Sequence, residues 1–101
     1  MLIDGIFFSH GGASDIPGRK VQKQFGIIND LGRQERNGMS TVECCKLAQI
    51  NAYRSLAKQA AALGANAVLN VQVAPFPYKY NVGILWEAPI SGDAVTLGDE
   101  E

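Results

Sequence analysis

With 101 residues, 47% of them hydrophobic and 19% charged, the chain makes one small globular domain, and its composition excludes a disordered polypeptide. A formal net charge of −1 lacks the basic excess of a general nucleic-acid binder. No run approaches the roughly 20 apolar residues that span a bilayer, and the opening MLIDGIFFSHGG has an acid but no basic segment, so no membrane and no export signal is expected. A cytoplasmic location is the expectation. The two cysteines are adjacent and cannot close a loop, which fits a reduced compartment.

In chain order, Leu2 to Phe8 (LIDGIFF) is a short apolar run and reads as a strand. Ser9 to Gly18 has three glycines and a proline and reads as loop. Arg19 to Asn29 alternates Val21, Lys23, Phe25 and Ile27 against Lys20, Gln22 and Gln24, the period of a strand with one wet face. Asp30 to Met39 is polar and leads to a helix cap.

The stretch from Ser40 to Val73 organises the rest. Ser40 precedes Glu43 by three residues, the spacing of a capping box, and Gly64 supplies the left-handed stop. Between them lie good helix formers and no proline or glycine. At about 100° per residue, Val42, Cys45, Gln49, Ala52, Tyr53, Leu56, Ala60 and Leu63 share one stripe, which predicts a core face with Gln49 as a polar intruder at its centre. Asn51, Arg54, Ser55 and Lys58 lie opposite. Leu47 and Ile50 sit on the flank, as isolated exposed side chains or as a contact with another copy.

After the helix, Ala67 to Val73 alternates again, with Leu69, Val71 and Val73 facing one way and Asn70 and Gln72 the other. Ala74 to Tyr80 (APFPYKY) reads as a stiff aromatic connection, since Pro75 and Pro77 lack the ladder N–H. Val82 to Leu97 is a last strand, interrupted near Pro89 and Gly92, before an acidic frayed tail, 98–101. The expected fold is one α+β domain over 1–97: two layers, one long helix on a small, mainly antiparallel sheet. One helix covers one face only, so the other meets water or a partner.

The run LAKQAAALGANAVLNVQV, with PGRKVQKQFGIIND upstream and ISGDAVTL downstream, resembles the bacterial YbjQ family over about residues 6 to 97. These are small proteins described as heavy-metal-binding. The resemblance implies a β-α-β-β core like the dodecin subunit, here with an extra N-terminal strand, and self-assembly into a ring, typically of five chains. It implies no catalytic activity. The expected function is a non-enzymatic, self-assembling domain whose ring holds a small ligand or ion at subunit boundaries.

The alternative is a heavy-metal-binding protein using Cys44, Cys45 and His10, since thiolates and imidazole suit zinc or copper. Neighbouring helix residues point about 100° apart, however, so both cysteines cannot face one ion. By the stripe, Cys45 is a core residue and Cys44 lies on the wet side. No cofactor is otherwise indicated. Catalysis would need Glu43 or Glu87 to meet His10 in a cleft, and no nucleophile elbow or phosphate loop is present. Phe76, Tyr78, Tyr80 and Trp86, with Leu47 and Ile50, are the expected contacts between copies. Residues 19–58 hold eight of the nine basic side chains, and the acids cluster from Glu87 onward, a split that would steer one copy toward another.

Overall fold

The computed structural model describes residues 1–12, 16–80 and 83–99, with the backbone alone described for Tyr80 and Asp99. Its elements in order are β1 (Leu2–Ile3), β2 (Ile6–Phe8), β3 (Arg19–Glu35), α1 (Thr41–Leu63), β4 (Ala67–Val73), β5 (Phe76–Tyr80) and β6 (Gly83–Asp99). The six strands form one sheet in the order β1-β2-β4-β6-β3, and β5 pairs with the first part of β6. All pairs are antiparallel except β2 with β4. One helix packed on a mixed sheet is the α+β class expected, although with six strands the sheet is not the small one expected. The long β3–β6 ladder draws the molecule out to 55 × 22 × 18 Å.

Local chemistry accounts for several differences from the expected elements. Leu2 to Phe8 is a tight hairpin rather than one strand, because Asp4 (φ 50°) and Gly5 (φ 80°) form the doubly left-handed turn that an Asp-Gly pair favours. β3 runs on to Glu35, six residues past Asn29, since its polar residues still pair with β6. Phe76 to Tyr80 is ladder rather than connection, and its proline is tolerated there because β5 has no further strand beside it among the described residues. β6 is unbroken. The Pro89 carbonyl accepts from Ala74 N–H at 3.1 Å, so its missing N–H faces the same side, at the break between β4 and β5. Gly98 and Asp99 pair with Lys20 and Arg19, so the strand continues into the expected tail, whose last residues, 100–101, lie outside the described residues.

Helix α1 begins and ends where its caps place it. The Ser40 hydroxyl accepts from Glu43 N–H at 3.1 Å. Gly64 (φ 88°) closes the other end, with its N–H and that of Ala65 bonded to Ala61 and Ala60 carbonyls. The buried face consists of Cys44, Ala48, Ala52, Tyr53, Leu56, Ala57 and Ala60. It agrees with the expected stripe from Ala52 to Ala60 and departs from it at both ends. Val42 and Leu63 are 62% and 44% exposed, Cys45 and Gln49 are half-buried, and the fully buried thiol is Cys44. Gln49 is therefore not a polar core residue, and the assignment of the two cysteines is reversed.

Size explains the rotation. A Cβ built on Gly32 of β3 would overlap the Ala48 carbonyl oxygen and the Ala52 backbone nitrogen, and would sit 2.7 Å from Ala52 Cβ. The helix backbone lies directly on the strand there, which only alanines opposite a glycine permit. A ranking by hydrophobicity points to the larger side chains, whereas the closest approach selects the smallest ones.

Three register breaks also redirect side chains. Bulges between Val21 and Lys23 and between Gln24 and Gly26 split the expected β3 stripe. Val21 packs into a small cluster on the face away from the helix, Phe25 packs against the main core, and Ile27 is 75% exposed. In β4, Asn70 takes a left-handed conformation (φ 53°), so Leu69 and Val71 fall on opposite faces of the sheet rather than the same one.

The outer edge of β3 is partly closed by the helix itself. Gln59 Nε2 donates to the Asn29 carbonyl (2.6 Å) and Asp30 Oδ2 (2.8 Å), Asn51 Nδ2 donates to the Arg33 carbonyl (2.8 Å), and Asp30 Oδ1 accepts from Leu31 N–H (2.8 Å). These side chains take bonds that a neighbouring strand would otherwise take. Asn51, expected on the wet side, is thus an edge cap.

Gly32→Ala is expected to destabilise the fold by about 2–3 kcal/mol, because helix backbone rather than a flexible side chain must move. Urea unfolding followed by circular dichroism measures it, and an unchanged midpoint would refute the close helix–strand contact.

Candidate functional site

His10 lies just past β2, where the chain leaves the sheet. Ser9 still belongs to the ladder: its N–H donates to the Val68 carbonyl and its carbonyl accepts from Val71 N–H, both at 3.0 Å. This holds the His10 ring over β4. Its Nδ1 is 3.0 Å from the Val71 carbonyl oxygen, which can only accept, so Nδ1 carries the proton. Nε2, 3.3 Å from the Tyr53 hydroxyl, is then the acceptor of the phenolic proton. Tyr53 is buried at 7% exposure and meets Phe8 edge to face, with centroids 5.1 Å apart. Burial raises its phenol above the ordinary value of 10.0. Both nitrogens of the ring are therefore engaged, Nδ1 tying the loop to β4 and Nε2 tying it to α1.

The cysteines lie elsewhere. Cys44 Sγ–H donates to the Gln34 carbonyl at 3.2 Å, and Cys45 Sγ accepts from Gln49 Nε2 at 3.4 Å. Cys44 and the Tyr53 that holds His10 are nine residues apart on the helix, about 13 Å along its axis. Among the described residues no group of three or more His, Cys, Asp or Glu could hold a metal ion. As a donor set, Cys44, Cys45 and His10 do not fit one. Glu43 sits in the first turn of α1, and Glu87 pairs with Arg33 (3.8 Å) through β3 and β6. Neither is hydrogen-bonded to His10.

The expected contact residues divide between the two faces. Phe76 and Tyr78, 42% and 52% exposed, pair with Glu87 and Leu85 and point away from the helix. Trp86 points the other way and packs against the main core, so it does not join them. Leu47 and Ile50 are 36% and 41% exposed on the helix, where Ile50 lines a small apolar groove with Met1, Ile3, Lys46, Gln49 and Tyr53. The side chain of Tyr80 lies outside the described residues.

Among the described residues the face away from the helix is covered at one end only. There Ile16 and Phe7 pack on Ala67, Leu69, Val95 and Leu97. Beyond that cluster Ile27, Phe76 and Tyr78 stand out from the sheet, with Leu31 and Leu85, both half-buried, on the same side by strand alternation. Beside the cluster is a hollow of about 250 Å³, floored by Asp93, Ala94 and Val95 of β6 and walled by Val21, Gln24 and Gly26 of β3 and Leu69 and Asn70 of β4. Asn70 Nδ2 donates to Asp93 Oδ2 at 2.9 Å. Sequence periodicity misses this hollow because its walls are made by the register breaks. The available signals were Gly26 and an asparagine inside a strand.

No family model matches the chain, and no curated protein matches it. A solved structure does: a crystal structure of a protein of unknown function from Pediococcus pentosaceus, described as belonging to the DUF74 family. It is 12% identical, with a TM-score of 0.61, over 93% of this chain and 99% of that one. At that identity the likeness is one of fold. Among the described residues no helix is long and apolar enough to cross a membrane.

Because the Tyr53 phenol is raised in the folded state, the stability it contributes is present below pH 10.0 and lost as pH rises through the folded value. Tyr53→Phe is expected to flatten the fall in urea midpoint at alkaline pH relative to the parent chain. Parallel alkaline losses in the two proteins would refute this.

Proposed function

We propose that this chain is a non-enzymatic, self-assembling subunit of the YbjQ type, and that the uncovered part of its sheet is where copies meet. The single observation behind this reading is the apolar surface of Ile27, Phe76 and Tyr78 on a face with nothing packed over it among the described residues. Burying the exposed remainder of each is worth roughly 1–2 kcal/mol, which a small domain with a single helix layer leaves unused as a monomer. The edge caps favour contact through the face over strand addition along Asn29–Arg33, because pairing there would first displace Gln59 and Asn51. Arg33 and Glu87 lie on the same face and give the contact a polar, charge-paired element. A ring of five, as the family resemblance implies, is the assembly we favour, placed in the cytoplasm and with no nucleic acid or membrane as partner.

Light scattering coupled to gel filtration is expected to give about five times the 10.8 kDa chain mass. A Phe76→Glu, Tyr78→Glu double variant is expected to reduce that mass while keeping the helical circular dichroism signal. A parent protein that runs as a folded 10.8 kDa particle at micromolar concentration would overturn the reading.

A further inference from the structure

We propose that the hollow over β6 is a binding site for a small organic cation, an alkylammonium or guanidinium group on a short aliphatic stem. All of its lining side chains come from one chain, and it borders the contact face proposed above, since Asp93 pairs with Ile27. Two breaks in strand register create it. The bulge between Gln24 and Gly26 of β3 and the break between Leu69 and Gln72 of β4 face the same short segment of β6 from its two sides. Each lifts its strand locally, and the three-strand surface becomes concave.

The β4 break rests on Asn70 in a left-handed conformation (φ 53°), which a non-glycine residue adopts at a cost of about 1 kcal/mol. Glycine would hold that backbone freely. What the asparagine adds is an amide that fixes the Asp93 carboxylate through Oδ2. Its own N–H is meanwhile tied to the Gly11 carbonyl at 3.0 Å, which anchors the bulge to the loop after β2.

The lining decides the ligand class. Among the described residues that line it Asp93 is the single charged one and none is a lysine or arginine, so an anion would meet an uncompensated carboxylate. Among the described residues the Asp93 carboxylate takes one side-chain hydrogen bond, from Asn70 to Oδ2, so Oδ1 keeps its acceptor capacity. One carboxylate is too few for a calcium or magnesium ion, each of which takes several oxygen ligands. Val21, Leu69 and Val95 offer an aliphatic wall for a stem. A volume of about 250 Å³ equals that of about eight waters, enough for an amine of a few carbons and too little for a nucleotide.

The test uses the full ¹⁵N-labelled chain and n-butylammonium chloride as probe, with sodium butyrate as the anionic control. Saturable shifts are expected at the backbone amides of Leu69, Asn70, Asp93 and Ala94 with the ammonium and none with butyrate. Asp93→Asn keeps the size and removes the charge, and is expected to weaken binding about tenfold or more. Asn70→Gly, which holds the same backbone conformation, is expected to weaken it comparably while the spectrum stays dispersed. Equal response to butyrate, undiminished affinity in either variant, or no saturable shift by ~50 mM ammonium would overturn the proposal.

Discussion

The fold depends on how closely one helix approaches one strand. At Gly32 the backbone of α1 rests on β3 with no side chain between them, and Ala48 and Ala52 are the residues that allow it. That contact sets the rotation of the helix and hence which side chains it buries. It turns Cys44 inward, where the thiol can bond the Gln34 carbonyl, and leaves Cys45 beside Gln49. It also brings Asn51 and Gln59 to the strand's outer edge, where they take up carbonyls of Arg33 and Asn29. A second close approach, Gly92 of β6 beneath Val68 and 3.1 Å from the Leu69 carbonyl for a built Cβ, does the same between strands. Small residues at these points are packing requirements rather than turn signals.

A second theme is the use of irregular strands to serve two faces. A strand in perfect alternation commits all its apolar residues to one side. Here β3 and β4 each change side partway along. Val21 and Leu69 build the small cluster under Ile16, while Phe25 and Val71 join the core under the helix. One sheet thus supports a full core on one face and a partial one on the other. The hollow at Asp93 lies where the change occurs, so the same bulges that complete the second cluster also open a concave surface beside it.

The third consequence is an imbalance of cover. The helix shields one face along much of its length, while among the described residues Phe7 and Ile16 shield only one end of the other. Ile27, Phe76 and Tyr78 remain on the open part, and the β3 edge is capped over Asn29–Arg33. The β3 edge is thus closed to strand addition along that stretch, while the face beside it stays apolar.

The sequence by itself determined the helix and its ends, because Ser40 and Gly64 act through bonds within one turn of themselves. It determined the α+β class, since one helical period among several two-residue periods admits little else, and it indicated that one sheet face would lack cover. Its view of the site was poorer. His10 and the two cysteines looked alike as donors, yet Val71 and Tyr53 engage the ring and Gln34 holds Cys44, partners 10 to 61 residues away. The depth of Gly32 under the helix, the side changes at Gln24–Gly26 and Asn70, and the meeting of Asn70 with Asp93 were decided only by tertiary structure. Periodicity reports what each residue would do in a regular element. Where two elements touch backbone to backbone, or a strand gains one residue on its neighbour, the partner's shape sets the direction of the side chain, and that shape is not local information.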